Sequence, residues 1–208
     1  TGSVQFNVSY GNSAGKGGDT GATADDIKSP TEVVYKHWAN VLLAEPEITG
    51  GFFISSPRST SAVSTGKDTE IYVVNAKRSL MKDRLNKKNW TIVLSGSRTQ
   101  HTTGSILHLT DDSSTVSAVA TPAGPRYNIV SGSQGTAYTT AATTTYGWFY
   151  PDQGTMVFSG AELSKSIQGS GSATATAVTY NSILSRGFGS AGNSGNSLEN
   201  ADYNTALR

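Results

Sequence analysis

Tyr146-Gly147-Trp148-Phe149-Tyr150-Pro151-Asp152-Gln153-Gly154-Thr155-Met156-Val157-Phe158 reads as two short strands joined by a turn. Tyr146 to Phe149 and Thr155 to Phe158 are the β candidates, rich in aromatic and branched side chains. Pro151-Asp152-Gln153-Gly154 supplies turn chemistry: a proline to set φ, an aspartate to bond locally, and a glycine. The aromatic run has two readings. It fills a core and anchors a hairpin, which is the commoner use. The alternative makes Trp148, Phe149 and Tyr150 a platform for a glycan or a partner protein.

Further β candidates lie on either side of this hairpin. They are residues 52–54, 69–76, 90–95, 106–110, 127–130 and 135–140, set apart by polar, glycine-rich breaks. Residues 3–10 alternate cleanly. Val4, Phe6, Val8 and Tyr10 share one face, and Ser3, Gln5, Asn7 and Ser9 the other. That strand opens the chain, so it pairs either within its own sheet or across a subunit boundary. The pattern predicts a mainly β fold with one or two helices (α+β), an antiparallel, sandwich-like sheet with long Gly/Ser/Thr-rich loops.

One helix is well marked, over residues 29–45. Ser29-Pro30-Thr31-Glu32 offers a cap, a first-turn proline and a capping-box glutamate. Val34, Trp38, Val41 and Leu42 then recur at helical spacing beside Tyr35, with Trp38 as the expected packing anchor, and Pro46 ends the helix. Residues 77–88, KRSLMKDRLNKK, read as basic and moderately helical. The domain organisation follows: 1–28 is a strand and flexible loop, and 29–160 a β-rich core. Residues 161–208 form a linker-rich extension, with a short helix at 161–168 and another opening near Ser197; the chain is expected to continue beyond it.

Composition narrows the chemistry. Of 208 residues, 28 are Ser, 26 Thr and 23 Gly, while only 15% are charged. Such a chain has a modest core and gains order against neighbours. A net charge of +1 gives no long-range field to gather nucleic acid. There is no Cys, hence no disulfide and no thiolate metal site. No apolar run reaches the 18 or so residues needed to span a bilayer.

No catalytic or cofactor motif emerges. His37, His101 and His108 have no metal-ligand spacing around them. Gly11 to Gly18 lacks the Ser or Thr that follows lysine in a phosphate loop. No GxSxG elbow is present. Asp25-Asp26 and Asp111-Asp112 sit in turn-like sequence, and serve as turn formers or weak calcium ligands rather than an acid/base pair. Catalytic, cofactor-binding and metal residues are therefore expected to be none. Contact candidates remain: Val4, Phe6, Val8, Tyr10, Trp38, the basic Lys77, Arg78, Lys82, Arg84, Lys87 and Lys88, and the aromatic Trp148, Phe149 and Tyr150. A solvated face is the plain reading of the basic run; among functional readings protein contact outranks DNA, since aromatic residues do not interleave it.

Several blocks together resemble a known family. Val34-Tyr35-Lys36-His37-Trp38-Ala39-Asn40-Val41-Leu42-Leu43 is similar to a "VYxxyrNlLL" helix. Thr69 to Leu85 resembles "IYvinvnRxrykekL", and residues 149–158 resemble "FYPDvGvivLng". Ile106 to Asp112 and Tyr127 to Tyr138 resemble further blocks, in the same order. The family is the large virion structural proteins of contractile-tailed phages, including phages of cyanobacteria. The resemblance spans roughly residues 4–208 and rests on the order of the blocks, since no single motif is specific. It implies a tail or baseplate location in the virion, other virion proteins as partners in a symmetric multi-copy assembly, and no catalytic residues. The alternatives are a receptor- or host-glycan-binding adhesin module, or a neck- or capsid-associated decoration protein.

Overall fold

The computed structural model describes residues 4–15, 30–48, 51–54, 67–96, 105–138 and 144–166. Ser29, residues 16–28, the Asp25-Asp26 pair, His101 and residues 167–208 lie outside them. The elements in chain order are β1 (Phe6–Asn12), α1 (Pro30–Leu42), α2 (Glu45–Ile48), β2 (Glu70–Ala76), β3 (Ile92–Gly96), β4 (Ser105–Asp111), β5 (Val119–Thr121), β6 (Gly124–Ser133), β7 (Thr136–Ala137), β8 (Gly147–Tyr150), β9 (Thr155–Ser159) and α3 (Gly160–Ser166). All pairings are antiparallel, in the order β1-β2-β9-β8-β6-β4-β3, with β5 and β7 as short additions to β6. In place of two facing sheets, one sheet curls into a half-barrel.

The β8–β9 hairpin sits at the middle of this order. Its ladder pairs Trp148 with Val157 and Phe149 with Met156. Successive residues of a strand face opposite sides. Here both sides are covered, so the strands read as unbroken apolar runs instead of alternating ones. Tyr72, Leu109, Ile129, Phe149, Met156 and Phe158 belong to the core on one face. Ile71, Val73, Trp148, Tyr150 and Val157 belong to the other, with Tyr35, Ala39, Leu42, Phe52 and Ile54. Each fully buried side chain of this size contributes about 1.5–3 kcal/mol of transfer free energy. Gly154 closes the turn with φ +68, and a Cβ there would lie 2.4 Å from the Met81 sulfur.

Helix α1 covers the second face. Thr31, Tyr35, Ala39 and Leu42 are its buried residues. The sequence placed the stripe one residue earlier, at Val34, Trp38 and Val41 with Trp38 as anchor; Leu42, also assigned to it, is buried as expected. Val41 is instead exposed, and Trp38 is only partly buried. The helix rotates toward Tyr35 because β1 offers a glycine there. A Cβ on Gly11 would stand 2.9 Å from the Tyr35 backbone, so that site admits the helix only without a side chain.

Two predicted elements take other forms. Residues 52–54 form no strand; they are pinned by polar groups, with Phe52 N–H donating to the Tyr35 hydroxyl and Ile54 N–H to the Asp68 carboxylate. Residues 77–88 contain only one 3-10 turn, Arg78–Leu80. The segment must run from β2, beside one edge of the sheet, to β3 at the other. This strap makes that crossing as one 3-10 turn followed by bends and a turn, not as a continuous helix.

Candidate interaction surfaces

The N-terminal strand is an edge. β1 pairs with β2 of its own sheet, Phe6 opposite Ala76 through Asn12 opposite Glu70. Val8 and Tyr10 pack against the first core, whereas Val4 and Phe6 are 61% and 54% exposed. Tyr10 stacks on Tyr72 at 5.2 Å between ring centroids, and its hydroxyl accepts from Asn12 Nδ2. The same Nδ2 donates to Glu70. Burial, and then the nearby Glu70 charge, push the Tyr10 phenol far above its ordinary value.

Trp38 ties α1 to that strand, its Nε1–H donating to Ser9 Oγ at 3.1 Å. Beside it lies a shallow groove of about 360 Å³, lined by Asn7, Ser9 and Asn75 from the strands and by Val33, Val34, His37 and Trp38 from the helix. His37 meets the Trp38 ring edge-on at 5.3 Å.

The basic residues divide into two groups. Arg78 is structural, donating to the carbonyls of Asp83 and Asp152. So is Lys87, which donates to the Tyr127 hydroxyl at 2.9 Å and lies over that ring. Lys77, Lys82, Arg84 and Lys88 are exposed. The Lys88 backbone N–H donates to the Asp111 carboxylate, holding that residue at φ +63. Leu80, 58% exposed, lies within the strap. The strap thus carries four exposed cations and one exposed apolar side chain, and is fixed to the fold by Arg78, Lys87 and a Leu85 N–H bond to the Pro151 carbonyl.

The aromatic run is no platform. Trp148, Phe149 and Tyr150 are 7%, 0% and 0% exposed, so no glycan reaches them. The platform reading of these three residues is corrected: both sides of the central hairpin are core. Arg126 lies over the Trp148 ring at 3.8 Å. Burial pushes the Tyr150 phenol up to about 12, with the Arg126 charge drawing it back. Its hydroxyl lies against the Arg126 side chain without a bond of good geometry.

Sequence reasoning missed the polar clamps. Asp68 accepts from Ile54 N–H and from the Ser159 hydroxyl, while its carbonyl accepts from Tyr35. Ser159 in turn accepts from Glu162 N–H at the start of α3. Asp111 and Asp112 are buried rather than turn-exposed. Asp111 accepts from Lys88 N–H and Ser113, and Asp112 from the backbone and side-chain N–H groups of Asn128. Burial raises the Asp112 carboxyl despite those two bonds. The visible signal was a carboxylate directly beside a strand end, as at Asp68-Thr69-Glu70 and Asp111-Asp112. Among the described residues, no group of three or more His, Asp and Glu is placed to hold a metal ion. Nor is any helix among them long and apolar enough to cross a membrane.

Comparison with protein-family models, curated proteins and solved structures returns no match to this chain. The surfaces themselves therefore carry the functional argument: an exposed apolar strand edge, a groove beside it, and a basic strap at the end of the sheet where the β8–β9 turn lies.

Proposed function

We propose that this chain is a structural component of a contractile-tailed phage virion, acting by subunit–subunit packing in the tail, baseplate or fibre-attachment region. The observation that carries the reading is the combination of unprotected contact surfaces on a firmly built core. Val4 and Phe6 stand exposed on an edge strand, and Leu80 stands exposed on a strap that also carries Lys77, Lys82, Arg84 and Lys88. Exposed apolar side chains beside one another or beside charge are candidate protein contacts. The ordered sequence blocks point to the particle in which those contacts are made.

In this reading the mechanism is geometric. The central hairpin and its two cores hold the sheet rigid. The clamps at Asp68 and Asp111 fix the segments crossing it. The strap and the edge strand then meet neighbours, and repetition of the chain builds a symmetric part. Partners are other virion proteins with acidic or apolar faces.

Protein composition of gradient-purified particles tests this. The expected result is peptides of this chain at a constant ratio to the other structural proteins through the density peak. Loss of the chain from particles during purification would contradict it.

A further inference from the structure

We propose that β1 is a self-association strand that pairs antiparallel with β1 of a second copy of this chain, about a two-fold axis at Asn7. The proposal rests on the reading above, that the chain works by packing against other subunits, and it names the partner of this edge.

The backbone sets which atoms are offered. Lys77 N–H donates to the Gln5 carbonyl, and Ser13 N–H to the Thr69 carbonyl. In an antiparallel ladder such bonded residues alternate, so the odd positions of β1 bond inward to β2. The even positions Phe6, Val8 and Tyr10 direct their N–H and C=O groups at the free edge. No strand pairs with that edge among the described residues. Protected edges carry Lys, Pro, an inward charge or a bulge. From Val4 to Asn12 this strand has no charged residue and no proline, and its register with β2 is unbroken.

The side chains suit a second copy of this strand. Residues 4–10 read apolar, polar, apolar, polar, apolar, polar, apolar, and Asn7 is the centre that gives the full seven-residue overlap. A two-fold there sets Val4 opposite the second copy's tyrosine at position 10, and Phe6 opposite its valine at position 8. Gln5 meets the equivalent serine at position 9, so like faces like along the whole overlap. The even positions, which carry the outward backbone groups, become the hydrogen-bonded pairs in this register. The exposed Val4 and Phe6 gain cross-strand apolar partners. Each copy presents the same patch, as an isologous interface requires. Helix α1 packs over a face of the sheet, against Gly11 and Ser9, rather than along its edge, and a groove lies between it and Asn7.

The chain contains no cysteine, so single thiols report the register. Asn7 and Gln5 are both exposed and tolerate substitution. Across a non-hydrogen-bonded pair the Cα atoms are about 4.5 Å apart, within disulfide reach. In the full 208-residue chain, mild oxidation of Asn7→Cys is expected to give a covalent dimer. Gln5→Cys, displaced four residues from its equivalent, is expected to give none. Sedimentation velocity is expected to show the unsubstituted chain as a reversible dimer. Phe6→Lys is expected to weaken it at least tenfold with circular dichroism and thermal midpoint unchanged. A monomer at every concentration would overturn the pairing, as would open-ended oligomers through β3 or equal cross-linking at positions 5 and 7. No dimer, with the chain still present in particles, removes the pairing alone. A dimer of a chain absent from particles removes the virion reading alone.

Discussion

Tyr150 shows how a single side chain can be read by its titration. Its phenol is fully buried and pushed up to about 12 from an ordinary 10.0. The unfolded chain therefore loses this proton first as pH rises. The contribution is fully present below pH 10 and is lost between pH 10 and about 12, to a ceiling of about 3 kcal/mol. Tyr150→Phe removes a buried hydroxyl that meets Arg126 without good hydrogen-bond geometry. We expect it to leave stability at pH 7 equal or slightly higher, and to raise the alkaline unfolding midpoint, followed by circular dichroism. An unchanged alkaline midpoint would show that the phenol titrates normally. At this scale the sequence was legible for side-chain type but not for side. The run Trp148-Phe149-Tyr150 announces a core; that both its faces are covered depends on α1 and residues 51–54 folding onto the sheet.

Elements were legible where periodicity is local. The strands at residues 70–76, 105–111 and 155–159 and the helix beginning at Pro30 follow from alternation and turn chemistry. The inward face of α1 did not, because a glycine 24 residues earlier decides it. Gly11→Ala is expected to push the helix off β1 and cost about 1–3 kcal/mol as overpacking, measured by urea denaturation. A loss below a few tenths would mean that α1 is not held at that point. The path of the strap at residues 77–88 likewise could not be read, since it depends on where β3 joins the sheet. Asp68 holds residues 51–54 and α3 to the core. Asp68→Ala leaves Ile54 N–H and the Ser159 hydroxyl without this acceptor, at about 1–3 kcal/mol each. We expect a total loss of about 2–6 kcal/mol in urea denaturation, and faster amide exchange at Phe52 and Ile54.

At the scale of the molecule, charge is segregated. Six of the 16 cationic residues fall between Lys77 and Lys88, and the chain as a whole is +1. The remainder is therefore net acidic, and in the proposed reading the strap is the face that would meet acidic neighbours. Lys82→Glu with Arg84→Glu reverses two exposed charges. We expect stability to change by less than about 0.5 kcal/mol, while incorporation into particles falls severalfold in a complementation assay. Normal incorporation would relieve the strap of its role. The missing chemistry in the sequence did not by itself say what the chain does; the exposed edge and strap now supply a positive account, in which the surface is the function. Gold labelling of a tagged chain in negatively stained particles tests that account most directly. It predicts label at the tail or baseplate, in a regular multi-copy arrangement; particles without label, while the tag remains accessible on the free chain, would contradict it.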